Sequence, residues 1–257
     1  MLNYKTIRIA FYVIVALMTG ARFILPFSFW YFLLPVLIYQ HILIFGAIKI
    51  RANFFVDSIS KGNTTQKEIA LTFDDGPADH YTSQILDILK QNNIEATFFC
   101  IGNRIENNKE LLKRIDAENH IIGNHSYSHH FFFDLNGTEK MKAELIKTNE
   151  LVQQLIGKKM TYFRPPYGVT NPNLAKAINQ LNFHSIGWNI RSMDTVVKVE
   201  QKLLSNIIPK LKPGSIVLLH DTPQITVESL QHIIDAVHAN GFKIVRLDKL
   251  INMEAYA

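Results

Sequence analysis

The sequence has 257 residues, 47% of them hydrophobic and 19% charged, enough for one substantial core with an appendage. Its net charge of +5 comes from basic residues scattered without a long cluster, which argues against a nucleic-acid partner. The single cysteine, Cys100, excludes an internal disulfide, and its place in the apolar run 96–101 reads as a small buried hydrophobe.

The appendage comes first. From Ile9 to Ile48 the only formal charge is Arg22, whereas charges recur throughout after Lys49. A bilayer core of about 30 Å takes roughly 20 apolar residues per helix, so two spans fit here. Pro26 and Ser28, near Trp30, supply a break, and residues 1–50 read as a transmembrane segment with a helical hairpin over 6–25 and 29–48. A single span with an interfacial first segment is the alternative, because Arg8 and Arg22 shorten the first run. The segment is too long for a cleavable signal peptide. Lys5, Arg8, Lys49 and Arg51 flank the hairpin against Arg22 alone near its turn, which assigns both ends to the cytoplasm by the positive-inside tendency.

Residues 51–66, with Ser58, Ser60, Lys61, Gly62, Asn63, Thr64 and Thr65, read as a juxtamembrane linker, and the catalytic domain is expected over 67–257. From Lys67 on, short apolar runs alternate with longer stretches of helical period, the pattern of βα units around a parallel sheet or barrel. The expected strands are 69–73, 96–101, 120–123, 161–163, 183–188, 215–219 and 242–246, and the expected helices are 82–91, 139–156, 172–181, 198–211 and 227–239. Polar residues follow the strand ends: Asp74 and Asp75 after the first, His125 and His129 after the third, Arg164 after the fourth, Asp194 beyond the fifth and His220 after the sixth. In parallel α/β folds those ends meet at one face, so the five segments are expected to share one mouth.

Each segment has a chemical reason to be there. Adjacent Asp74 and Asp75 point in different directions before a turn at Gly76, so one can bind a metal while the other handles protons. His125 and His129, four apart, suit a shared metal, and with a carboxylate from another strand end they give a two-histidine, one-aspartate set with positions left for water and substrate. Arg164-Pro165-Pro166-Tyr167-Gly168 is stiffened by its prolines and can hold an arginine and a backbone N–H in fixed directions. His220 leaves an apolar strand at the mouth as a candidate general acid. Phe131, Phe132 and Phe133 are expected to pack in the core, not to form a sugar-stacking platform.

Four runs, Thr72-Phe73-Asp74-Asp75-Gly76-Pro77, His125-Ser126-Tyr127-Ser128-His129, Arg164-Pro165-Pro166-Tyr167 and Leu218-Leu219-His220, resemble in that order the motifs of the polysaccharide deacetylases, the NodB-type domain of carbohydrate esterase family 4. The resemblance covers about residues 67–250. It implies a deformed (β/α) barrel in the α/β class and a divalent metal, usually zinc with cobalt as a second possibility, on Asp75, His125 and His129. Asp74 would then be the general base toward the water that attacks an acetamide carbonyl, His220 the acid that protonates the departing amine, and the Tyr167 backbone N–H an oxyanion donor. Arg164 would pair with Asp74, Asp194 with His220, and Leu218 would line the acetyl pocket. The family's fourth motif commonly reads Asp-x-x-Asp-Trp. Here it is Arg191-Ser192-Met193-Asp194-Thr195, which keeps the second aspartate and leaves the aromatic groove wall, and with it the substrate preference, open.

The expected activity is removal of N-acetyl groups from a glucosamine-type polymer or glycolipid by a membrane-anchored enzyme whose partners are that glycan and the lipid bilayer. No protein partner is indicated. The alternatives are an O-acetyl esterase on a sugar polymer, a hydrolase of small cyclic amides, and a silent sugar-binding membrane protein. A wall or capsule polymer favours an extracytoplasmic domain, against the charge distribution.

Overall fold

The computed structural model describes residues 3–257. Among the described residues nine strands form one curled parallel sheet, a half-barrel: β1 (Ser58–Ile59), β2 (Glu68–Asp74), β3 (Thr97–Cys100), β4 (Ile121–Asn124), β5 (Tyr162–Phe163), β6 (His184–Ile186), β7 (Ile190–Arg191), β8 (Ser215–His220) and β9 (Lys243–Ile244). Their order is β1-β6-β5-β4-β3-β2-β8-β7, and β9 pairs with the start of β2. Helices cover the outer surface, so the central strands are buried on both faces and read as near-continuous apolar runs.

Successive strand side chains alternate between the two faces. Ile69, Leu71 and Phe73 of β2 and Val217 and Leu219 of β8 pack outward into the main core under the helices. Ala70 and Ile216 turn inward, where they meet Phe99, Ile121, Tyr162 and Ile186 in a second cluster that fills the barrel. The same alternation makes Thr72 and Asp74, and Leu218 and His220, inward positions. Asp74 and His220 are moreover direct register partners on adjacent strands.

Residues 4–48 form a helical hairpin, α1 (Tyr4–Arg22) and α2 (Leu33–Ile48), joined through a short turn of 3-10 helix at Phe29–Phe32. Asn3 caps α1 by accepting from the Thr6 N–H at 3.0 Å, and Phe11 stacks on Tyr39 across the pair with centroids 4.3 Å apart. Tyr4–Arg22 and Phe29–Ile48 are each long and apolar enough to cross a membrane. Both outer ends of the hairpin meet the domain: the Tyr4 N–H donates to the Phe54 carbonyl and the Thr170 N–H to the Ala47 carbonyl, each at 3.0 Å.

Two expectations change. The segment 51–66 does not run free as a linker, since β1 within it pairs with β6 and the Ser58 and Ser185 hydroxyls bond at 2.7 Å in the interior. The expected helix 198–211 is shorter, Glu200–Ile207, and then tightens into a 3-10 turn over Ile208–Lys210, where Pro209 cannot donate an α-helical hydrogen bond.

Candidate active site

Asp74 ends β2 at the mouth, 4% exposed, and Arg164 reaches it from just past β5. The Arg164 guanidinium is fully buried and donates four hydrogen bonds. Nη1 donates to Asp74 Oδ1 at 2.7 Å and to Thr72 Oγ1 at 2.8 Å, Nε to the Ile186 carbonyl at 3.1 Å, and Nη2 to the Gly187 carbonyl at 3.0 Å. It also lies 4.1 Å from the Phe99 ring centroid. Burial lowers the arginine's pKa, and the Asp74 carboxylate opposes that effect. With Oδ1 committed to arginine, Asp74 keeps Oδ2 toward the pocket, 3.8 Å from His125 Nε2.

Asp75, His125 and His129 offer three ligand atoms within 4.8 Å of one another. Asp75 Oδ1 stands 3.5 Å from His125 Nε2 and 3.4 Å from His129 Nε2. Metal bonds of about 2.0–2.2 Å put neighbouring ligand atoms about 3–3.4 Å apart, so the three fit one divalent ion. His125 Nδ1 donates to the Arg164 carbonyl, at 2.8 Å, because a carbonyl only accepts, which leaves Nε2 as the nitrogen turned toward Asp75 and His129. Burial pushes the Asp75 carboxyl up, yet His125 and His129 outweigh it and hold the group well below the usual carboxylate range. Burial, together with His125, pushes His129 down to about 4, so it is neutral and able to ligate.

Across the pocket, Asp194 Oδ1 accepts from His220 Nδ1 at 2.8 Å and Oδ2 from the His220 N–H at 2.6 Å. Ser192 Oγ, the Thr195 N–H and Thr226 Oγ1 complete its shell. Burial works to lower the His220 pKa, but the Asp194 carboxylate prevails and the net shift is upward. Asp194, which burial alone would raise, is lowered by the same contact. His220 Nε2 is left as the ring nitrogen not engaged by Asp194, and it carries a proton in the imidazolium form.

The pocket between these groups has a volume of about 260 Å³ and is lined by Asp74, Asp75, His125, His129, His220, Leu218, Tyr167, Gly168, Trp188, Arg191 and Thr195. The backbone around it is strained. Ten non-glycine residues have positive φ among the described residues; five are asparagines, which tolerate that conformation, and the others are Asp75, Ser126, His129, Tyr167 and Met193. All five lie in the loops that build the site, where packing holds backbone shapes that cost of order 1–3 kcal/mol each. Gly168, also left-handed, lies so close to Trp188 that a Cβ would stand 2.5 Å from the indole.

Several contributors escaped the sequence reading. Glu144, on the helix Thr138–Ile156, accepts from the Tyr127 and Ser128 N–H groups at 3.1 and 2.7 Å and so shapes the turn between the two histidines. In sequence it is one more charge on a helix face. Trp188 follows β6, and Asp221 follows His220; the strand-end rule would have found both. Asp221 is fully buried, accepts from Thr82 Oγ1 at 2.6 Å, and packs where any side chain on Gly76 would collide with it. Of the three phenylalanines expected in the core, only Phe133 is buried, while Phe131 and Phe132 are 69% and 54% exposed.

A family model described as polysaccharide deacetylase matches residues 61–186. The chain is 37% identical over 193 residues to a peptidoglycan-N-acetylglucosamine deacetylase of Bacillus cereus, covering 74% of this chain and 70% of the relative. It is 33% identical over 199 residues to the peptidoglycan-N-acetylmuramic acid deacetylase PdaA of Bacillus subtilis, covering 76% and 75%. Its fold superposes on the crystal structure of the Bc1960 peptidoglycan N-acetylglucosamine deacetylase with a TM-score of 0.73 at 34% identity, covering 78% of this chain and 95% of that one.

Proposed function

The chain belongs to the polysaccharide deacetylase family, and on that premise we propose that it is a metal-dependent, membrane-anchored hydrolase of N-acetyl groups on amino-sugar glycans. The observation that carries this reading is the register pair Asp74 and His220, a base and an acid on neighbouring strands, flanking the Asp75, His125 and His129 cluster. The peptidoglycan substrates named for the relatives support the sugar class.

Asp75, His125 and His129 would hold a divalent ion, which would supply Lewis acidity and lower the pKa of a water in the pocket. Zinc suits the two-nitrogen, one-oxygen donor set, with cobalt as a substitute. Asp74, aimed by the Arg164 bond to Oδ1, would take a proton through Oδ2 from the water whose oxygen attacks the acetamide carbon. Tyr167, at the left-handed bend, contributes its backbone N–H to the oxyanion. His220, protonated at Nε2 and steadied by Asp194, gives its proton to the sugar nitrogen as the C–N bond breaks, releasing acetate and a free amine. Leu218, 2% exposed on β8, packs against the acetyl methyl.

The two hairpin helices anchor the domain to the bilayer. Exposed apolar side chains along both, among them Tyr12, Leu17, Leu34, Leu37 and Phe45, support a lipid environment.

The reading is tested by acetate release from N-acetylglucosamine oligomers with purified full-length protein. Chelation is expected to abolish release and zinc or cobalt to restore it, and Asp74→Asn should lose turnover while still binding the ion. Retained turnover in that variant would overturn Asp74 as the base. Acetate released only from O-acetylated glycans would make the enzyme an esterase.

A further inference from the structure

Beyond Ile48, seven large apolar residues are exposed among the described residues: Phe131, Phe132, Leu135, Ile146, Tyr167, Val196 and Val199. All but Ile146 sit in segments bordering the active-site mouth. Phe131 begins two residues after His129, Tyr167 itself lines the pocket, and Val196 follows the lining residue Thr195. A soluble domain that scatters its exposed apolar residues at random would not collect them around one opening.

The same rim is tied to the end of α2. Thr170, three residues past Tyr167, donates its N–H to the Ala47 carbonyl at 3.0 Å and its hydroxyl to the Gly46 carbonyl at 3.4 Å. The next residue, Asn171, donates through Nδ2 to the Asp134 carbonyl at 2.6 Å, and Asn173 to the Asn136 carbonyl at 3.3 Å. Tyr167 closes the circuit, its ring centroid 5.9 Å from Phe131 and 4.8 Å from His129. The last turn of an apolar helix, where it would leave the bilayer, is therefore two hydrogen-bonded steps from the exposed 131–135 loop.

We propose that the rim formed by Phe131, Phe132, Leu135 and Tyr167 seats in the bilayer surface, so that the site receives acetylated amino sugars carried on a lipid in that same membrane. Aromatic and aliphatic side chains beside a membrane span gain by partitioning into the headgroup boundary, and aromatic rings are favoured at that level. The hairpin fixes where the bilayer is, and the segment 167–173 links the rim to it. The substrate part rests on the deacetylase reading; the membrane contact does not.

The test uses the full chain reconstituted in phosphatidylcholine vesicles containing lipids with a nitroxide near the headgroup. An environment-sensitive fluorophore is placed at Phe132→Cys or at Lys90→Cys, which precedes β3 at the other end of the barrel; the native Cys100 is buried and does not compete for label. Quenching is expected to be several-fold stronger at position 132 than at position 90, and equal quenching at the two sites would overturn the membrane contact. In parallel, the triple variant Phe131→Ser, Phe132→Ser, Leu135→Ser should keep its acetate release from soluble N-acetylglucosamine oligomers and lose most of its release from a vesicle-borne N-acetylglucosaminyl glycolipid. An equal effect on both substrates would overturn the lipid-borne substrate. Inactivity of the unmodified protein on both would instead count against the deacetylase reading, with the quenching result still deciding the rim.

Discussion

Asp194 grips His220 at two points, accepting from its backbone N–H at 2.6 Å and from its ring Nδ1 at 2.8 Å. The first bond fixes where β8 ends, and the second fixes which ring nitrogen faces the pocket. The carboxylate also favours the imidazolium, the form a general acid needs. Raising the pKa extends the range of a protonated acid upward, so activity should fall only on the alkaline side of the shifted value. In Asp194→Asn the alkaline limb of the kcat/KM profile should move to lower pH. An unmoved limb would separate His220 from that limb.

Arg164 presents a different test, because its guanidinium is wholly enclosed. Arg164→Met leaves the Asp74 carboxylate buried without its partner and two backbone carbonyls without a donor. Breaking a buried pair from one side costs about 3–5 kcal/mol, so denaturant unfolding should show a lower midpoint with an unchanged slope. A loss below about 1 kcal/mol would mean that water replaces the guanidinium.

Glu144 never touches the three ligand atoms, yet it holds the turn that spaces His125 from His129. Outer residues of this sort typically alter metal affinity 10–100-fold. Competition with a chromophoric chelator should show about that weakening in Glu144→Ala, with the fold intact by circular dichroism. Unchanged affinity would make the residue a structural helix contact only.

Burial, aided by the charge on Asp75, pushes the Asp221 carboxyl up to about 7. A carboxyl whose pKa rises on folding adds stability below its unfolded value, and loses that contribution as pH climbs through the folded value. In metal-free protein the stability of Asp221→Asn relative to the natural chain should therefore increase between about pH 4 and 7 and level off above. A difference independent of pH would show that Asp221 ionises freely in the folded protein.

The hairpin joins the domain at both ends, so the amino terminus and the catalytic domain should report the same side of the membrane. Paired fusions of a compartment-sensitive reporter, one at each end, check this. Opposite sides would mean a single span. A shared cytoplasmic side would exclude mature wall polymer and leave lipid-linked sugars.

The strand-end rule worked for Asp74, His125, Arg164 and His220 because parallel strands carry polar residues to one face whatever the details of the loops. The apolar run with Arg22 as its one charge led to helices expected over 6–25 and 29–48, and the structure has them at Tyr4–Arg22 and Leu33–Ile48, with Phe29–Phe32 a 3-10 turn. Strands β1 and β7 were not legible: two residues show no periodicity, and their place in the sheet depends on partners, Ser185 and Val217, far along the chain. The contact of Glu144 with the histidine turn is invisible for the same reason. Nor does sequence announce the left-handed backbone at Asp75, His129, Tyr167 and Met193, since Tyr and Met seldom adopt it and even Asp and His, though enriched there, do so at only a minority of positions.

The pairing of β1 with β6 bears on how the domain can be separated from its anchor. A chain begun at Lys67, the domain start expected from the sequence, would strip β1 away and leave the backbone of Ser185 and Ile186 as an open edge, ready to recruit a strand from another molecule. A chain begun at Asn53 keeps that edge covered, together with the Ser58 to Ser185 hydroxyl bond. For this protein, then, cutting at the apparent boundary would trade a membrane anchor for an aggregation seam.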